Sequence, residues 1–465
     1  MLSRAFLTLY RLLMRWLPAS GQKVLRELSQ MPLGRRLVRG AAASLIMTAV
    51  SVLLGIANSV LLGRALGPEG FGLYSLAMVW SGLLTAPFWA GLITLLTRET
   101  GRVMATGTRA DMRALLRWSY WLAGIFSLAI TLAAAAVLYL LSDRLGSARY
   151  AIGAVSLILL GLVTIMPLNS TVLRGLGGLV RSQFCDLVLR PSLTLASLLA
   201  LALVFGWHSL SAIGGVTAQI IAVGGTICVS TWWLVQGLRD LPLDAHPEQP
   251  IFTAGPRWRS LLAFCAMAGV GSLSGSIDTL ILGGFESTST VGVYRVAMIG
   301  VQLIVSFIGA IHTIVLPSIA RLHAQGDRER LQRLLTLTAR STVLLAATPV
   351  VILIVFGQPL LRFAFGEAFA AGAPAMAIAA AGQLLAAMAG PVSSVLNMTG
   401  HETAALRYSL IGVAASAAGC FLLIPWFGIT GAAIANNAAM LLLVGLSSWN
   451  APRLTGVSST VFGRR

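Results

Sequence analysis

Charge is scarce in this sequence. Only 10% of its 465 residues are Asp, Glu, Lys or Arg, against about 25% in soluble domains, which excludes a chain made mainly for water. Acidic charge is scarcest: 15 Asp and Glu stand against 33 Lys and Arg, a formal net charge of +18. Lysine is represented by Lys23 alone, before any apolar run, so there is no Walker A phosphate loop, whose lysine follows its glycines. GxSxG and HExxH are absent as well. The four cysteines, Cys185, Cys228, Cys265 and Cys420, lie far apart in or beside apolar runs with no CxxC spacing. They read as small packing residues rather than metal ligands or disulfide partners. His208, His246, His312, His323 and His401 are scattered. The chain is therefore read as no enzyme, with no metal and no cofactor. Its basic residues sit between apolar runs and not on one domain, so nucleic acid is not expected as a partner.

Apolar sequence is what is abundant: 57% of residues are hydrophobic and the mean hydropathy is +0.85. A bilayer core needs about 20 helical residues. Runs long enough fall near 41–62, 73–96, 118–141, 150–173, 185–205, 211–236, 260–282, 292–316, 341–361, 371–397, 405–426 and 429–449. The loop charges support this count of twelve. Residues 1–40 carry eight Arg and Lys; the second loop carries Arg98, Arg102, Arg109, Arg113 and Arg117; the eighth carries Arg321, Arg328, Arg330, Arg333 and Arg340. The odd-numbered loops hold only Arg64, Arg144, Arg149 and Arg362. Positive charge collects on the cytoplasmic side, so the reading is an all-α integral membrane protein with twelve transmembrane helices and both termini cytoplasmic.

Residues 1–40 form a cytoplasmic basic N-terminal segment. Leu2 to Leu17 is apolar but interrupted by Arg4, Arg11 and Arg15, which suits a helix lying on the membrane surface or a disordered basic tail, and not a signal peptide. Residues 239–259, with four prolines, read as a cytoplasmic linker between an N-terminal six-helix lobe (41–238) and a C-terminal one (260–450). Residues 451–465 read as a cytoplasmic tail.

The two lobes look like copies. Leu62 to Met78, LGRALGPEGFGLYSLAM, returns as Leu282 to Met298, LGGFESTSTVGVYRVAM, at an offset of 220 residues. Gly63, Gly72, Tyr74 and Ala77 fall on Gly283, Gly292, Tyr294 and Ala297, while Gly55 falls on Gly275 and Asn58 on Asp278. Gly177 and Gly206 echo Gly400 and Gly428 at 222–223 residues. A fixed-offset repeat marks a duplicated unit. With six spans in each half, the copies enter the membrane in the same sense, as parallel repeats.

Polar residues inside spans are costly and therefore informative. Asp278 lies near the outer end of span seven on a stripe with Gly271, Ser274 and Gly275, a pattern that lines a cleft or a close helix contact. Arg295 enters span eight at similar depth and is expected to meet Asp278. Asn58 holds the matching place in span one. Gln302 is a further uncharged candidate, although it and Gln219 would also serve simply to join helices. Asp186 and Arg190, four apart on span five, are expected to neutralise each other.

The stretches GRALGPEGFGLYSLAM, DTLILGGFESTSTVGVYRVAM, PSIARLHAQGD (Pro317 to Asp327), LNMTGHETAALRYSL (Leu396 to Leu410) and IPWFGITGAAIAN (Ile424 to Asn436) resemble the polysaccharide transporter, or oligosaccharide flippase, family. It belongs to the multidrug/oligosaccharidyl-lipid/polysaccharide exporter superfamily. The resemblance covers nearly all of residues 37–450. It implies two six-helix lobes in a V and alternating access. It also implies translocation of an undecaprenyl-pyrophosphate-linked oligosaccharide across the inner membrane for surface polysaccharide assembly. Partners would then be the lipid-linked substrate, membrane lipids and polysaccharide assembly proteins. On this reading Asn58, Asp278, Arg295 and Gln302 are candidates for the cavity or its gate, and Arg98 and Arg102 for the inward mouth; Asp278 and Arg295 would equally serve as an ion pair that only locks their hairpin, and Arg98 and Arg102 chiefly to set orientation and attract anionic headgroups. Two rivals are a multidrug–cation antiporter of the same superfamily and a membrane polysaccharide polymerase or ligase. The first would need a free acid in the first lobe; the second usually has a large external loop, and the external loops here are short.

Overall fold

The computed structural model describes residues 32–106, 109–143, 146–206, 210–239 and 257–462. The basic stretch Leu2 to Leu17, residues 240–256 of the linker, His208 and His246 lie outside the described residues. Among those described there is helix and no strand. A bilayer imposes this, because each spanning segment must satisfy its own backbone N–H and C=O groups. Among the described residues nine helices are long and apolar enough to cross a membrane, or ten if the bent pair Phe264–Ser274 and Ile277–Phe285 counts as one. The protein is a multi-pass integral membrane protein.

In chain order the helices of the first half are α1 (Pro32–Thr106), α2 (Arg109–Leu140), α3 (Ser147–Gly175), α4 (Leu179–Gln183), a π-helical turn (Phe184–Leu189), α5 (Arg190–Phe205) and α6 (Ala212–Arg239). The second half has α7 (Arg257–Ser274), α8 (Ile277–Phe285), α9 (Thr288–Ala324), α10 (Arg328–Phe365), a 3₁₀ turn (Glu367–Gly372), α11 (Ala373–Met388), α12 (Val392–Met398) and α13 (Glu402–Thr455).

Two of these are far too long for one crossing. The 75 residues of α1 would reach about 110 Å if straight, against a hydrocarbon core of about 30 Å. At Gly67 the backbone leaves the helix with φ 64° and ψ −178°. Glycine alone takes that φ without a Cβ penalty, and Pro68 pushes its predecessor towards an extended ψ. The chain folds back there. Asn58 and Tyr74 line one cavity, although on a straight helix sixteen residues would separate them by about 24 Å. Helix α13 has its own break at Gly428, φ 53° and ψ −130°.

Backbone geometry repeats where the sequence does. Gly177 and Gly400 have φ of 82° and 81°, and Gly206 and Gly428 have 89° and 53°. The two hairpins meet at their matched glycines. A Cβ on Gly72 would lie 1.7 Å from Thr288 O, and one on Gly292 would lie 2.0 Å from Pro68 O. Only two backbones without side chains can approach so closely. Beside this seam Gly63 packs on Phe365, and Arg64 donates to the carbonyls of Phe363 and Ala364, the latter at 2.8 Å. Nearer the other side of the membrane Gly91 packs on Cys265 and Gly269 on Pro87.

The structure departs from the expected spans in three places. Span seven is not continuous: α7 and α8 are bent by 52° at Gly275–Ser276, a weak point for a helix. Span ten stops at Gly390 (φ 65°) and restarts as α12 after Pro391, which has no N–H to continue the ladder. The tail is not free beyond α13. Ser458 exchanges two hydrogen bonds with Gln332, at 2.7 and 2.6 Å, and Val461 N donates to Met388 O at 2.9 Å, so residues 457–461 strap α10 to α11.

Candidate functional site

Between the halves lies a cavity of about 340 Å³. Its wall is built from both legs of α1, from α5 and α6, and from the start of α9; the polar groups facing it include Asn58, Tyr74, Arg190, Gln219 and Arg295. Asn58 is 8% exposed. Its Nδ2 donates to Pro191 O at 2.9 Å, while its Oδ1 has no partner. Gln219 Nε2 reaches the Tyr74 hydroxyl at 3.0 Å, and Gln219 Oε1 is likewise unpartnered.

The acid at this cavity is already engaged. Asp186 Oδ1 accepts from Ser170 Oγ at 2.6 Å and Oδ2 from Arg174 at 2.7 Å. The expected Asp186–Arg190 pair is therefore not the ion pair that forms. The π-helical turn over 184–189 explains the difference: the i→i+5 pattern of a π-helix spoils the i,i+4 register on which the pairing rested. Arg174, near the end of α3, takes the carboxylate instead. Among the described residues no hydrogen bond or ion pair engages the guanidinium group of Arg190 or Arg295. A guanidinium stays charged under any condition a protein meets, so the cavity holds two cationic forks, one from each half, and its one lining carboxylate, Asp186, is bound to Arg174.

Asp278 sits elsewhere. It is 7% exposed and accepts from the Tyr294 hydroxyl at 2.6 Å, Asn436 Nδ2 at 3.3 Å and Thr279 N at 2.6 Å. The expected meeting with Arg295 does not occur. Neighbours on a helix point about 100° apart; Tyr294 takes the direction towards Asp278, and Arg295 the direction of the cavity. Gln302 is exposed and does not line the cavity. Arg98 pairs with Glu99 at 3.2 Å and Arg102 is exposed; neither lines it. Of the residues singled out from sequence, the cavity thus gathers Asn58 and Arg295. Arg190 and Gln219 carried the right signal, polarity inside a span, but had a pairing or packing explanation. Tyr74 was visible only as part of the repeat.

A second cavity, about 630 Å³, is almost wholly apolar. Leu76 and Trp80 on α1, Val137 on α2, Ile152 on α3 and Leu280 on α8 line it, with the exposed Arg149 at one end.

A family model described as polysaccharide biosynthesis protein matches residues 37–323. The chain belongs to this family. The matched stretch contains every residue of the central cavity, from Gly55 to Ile299. Stage V sporulation protein B of Bacillus subtilis (strain 168) is 25% identical over 438 residues, 88% of this chain and 82% of that protein. A probable low-salt glycan biosynthesis flippase of Haloferax volcanii is 23% identical over 182 residues, 38% of this chain and 39% of its own. Among solved structures, the lipid II flippase MurJ in an inward closed conformation aligns with a TM-score of 0.67 at 12% identity, covering 88% of this chain and 87% of that one. An inward-facing multidrug resistance MATE family transporter of the MOP superfamily also scores 0.67, at 16% identity, covering 90% and 99%. The chain therefore shares the all-helical fold of these two structures.

Proposed function

We propose that the protein is a flippase for a lipid-linked oligosaccharide, in which Arg190 and Arg295 hold the pyrophosphate between lipid and sugar. The observation that carries this reading is the pair of unpartnered guanidinium groups, one from each half, facing one cavity. Planar forks of this kind match phosphate oxygens in two-pronged hydrogen bonds. An antiporter for cationic drugs would want a free acid at this place, and Asp186 is already bound to Arg174.

On this reading the lobes are residues 41–238 and 260–450, joined by a cytoplasmic linker at 239–259. Helices α1 and α13 each count as two crossings, bringing the ten candidate spans to twelve, with both termini in the cytoplasm. The substrate carries an undecaprenyl chain, crosses the inner membrane as the lobes rock, and serves surface polysaccharide assembly together with further assembly proteins. The lipid chain stays among apolar groups, for which the larger cavity offers a surface.

The test is reconstitution in proteoliposomes with a polyprenyl-pyrophosphate-linked oligosaccharide. Arg190→Gln and Arg295→Gln should each lower translocation at least tenfold, with normal folding by circular dichroism. Translocation at wild-type rate in the double variant would overturn the proposal.

A further inference from the structure

The central cavity offers more than positive charge. Arg190 and Arg295 only donate hydrogen bonds. Asn58 Oδ1 and Gln219 Oε1 only accept, and both are buried without a partner. The orientation of Asn58 follows from its neighbour: a proline carbonyl can only accept, so the amide NH₂ must face Pro191 O, 2.9 Å away. The oxygen is thereby turned away from Pro191, buried at the cavity wall without a partner. An ionised pyrophosphate presents acceptors alone. It answers the two arginines and leaves both amide oxygens unsatisfied, and a buried acceptor without a donor is costly. A sugar attached to that pyrophosphate carries the missing donors, as hydroxyl O–H or acetamido N–H.

We infer that Asn58, with Gln219, reads hydrogen-bond donors on the sugar next to the phosphate, so that the carrier separates sugar-loaded lipid pyrophosphate from the bare form. The inference rests on the phosphate-binding role of Arg190 and Arg295. Discrimination matters chemically, because any transfer of the glycan to an acceptor leaves a bare lipid phosphate or pyrophosphate that competes for the same arginines. A site built to satisfy a hydroxyl or N–H discriminates strongly against a ligand that lacks it, since the buried protein group is then left unpaired.

The test measures binding of two probes to the full-length protein in nanodiscs: a short-chain polyprenyl pyrophosphate, and the same lipid bearing one N-acetylglucosamine. The wild type should bind the loaded lipid about tenfold or more tightly than the bare one. Asn58→Leu and Gln219→Met should bring that ratio close to one while binding of the bare lipid is kept. Asn58 also holds the residue after Arg190, so a purely positioning role would weaken both probes together. Gln219→Met does not touch that contact and keeps the question decidable. A wild type without preference, or a ratio unchanged in both variants, would overturn the inference. So would an Asn58→Leu variant that loses both probes equally while Gln219→Met keeps the wild-type ratio. The variants Arg190→Gln and Arg295→Gln should weaken both probes alike. If they bind both as the wild type does while Asn58→Leu still abolishes the preference, the phosphate assignment falls and the sugar reading stands.

Discussion

Asp278 is the acid of the second half that lies deepest in protein, and its partners decide what its loss would do. Tyr294, 0% exposed, and Asn436 both donate to it. Asp278→Ala strands those two donors in a buried site, at a cost of about 1–3 kcal/mol for each group left unpaired. Asp278→Asn keeps an acceptor and should destabilise less. Thermal melting of the detergent-purified protein checks the order, wild type above Asn above Ala; equal melting temperatures would rule out this account. Polarity within a span marked Asp278, Arg295, Asn58, Arg190 and Gln219 in the sequence, because a bilayer tolerates such groups only for a reason. Their partners were not legible. One step along α9 separates the direction of Tyr294 from that of Arg295, and the irregular turn over 184–189 broke the simple spacing that joined Asp186 to Arg190.

At the level of the helices, the hairpin glycines set how closely the halves approach. A methyl group on Gly72 would fall 1.7 Å from Thr288 O, too near to coexist with it. Gly72→Ala or Gly292→Ala should therefore wedge this seam and, on the proposed orientation, favour an outward-open arrangement. In a background whose native cysteines are replaced by serine, Ser75→Cys at the cavity wall should then label several-fold faster with a membrane-impermeant thiol reagent added outside. Unchanged labelling would show that the seam gives way elsewhere. The sequence repeat pointed to these glycines as matched positions. Their mutual contact was hidden, since nothing in one chain's pattern says that two matched places touch. The break after Gly390 has its sign in the following proline, whereas the bend at Gly275–Ser276 fell within what looked like an unbroken small-residue stripe.

For the whole molecule, the bilayer made much of the fold readable. It demands helix, it demands about 20 apolar residues per crossing, and it sorts basic loops to one side. Cysteines placed at Gly67, Gly146 and Ser287 should label from the periplasm and one at Gly326 should not; labelling at Gly326 would invert the orientation proposed. Gly107 and Ala245, expected on the cytoplasmic side, lie outside the described residues and extend the same test. The cavity between the halves was less readable, because it takes one arginine from each and no single stretch contains both. Those two charges bear on energetics as well. On the proposed function an empty cavity carries the net charge of both cations, since Asp186 is taken by Arg174, whereas a bound pyrophosphate would cancel them. A charge moved across the full membrane field gains or loses about 2.3 kcal/mol per 100 mV. A membrane that is negative inside would thus pull the empty carrier towards its cytoplasm-facing state and act far less on the loaded one. Voltage would then reset the unloaded protein and bias the direction of transport.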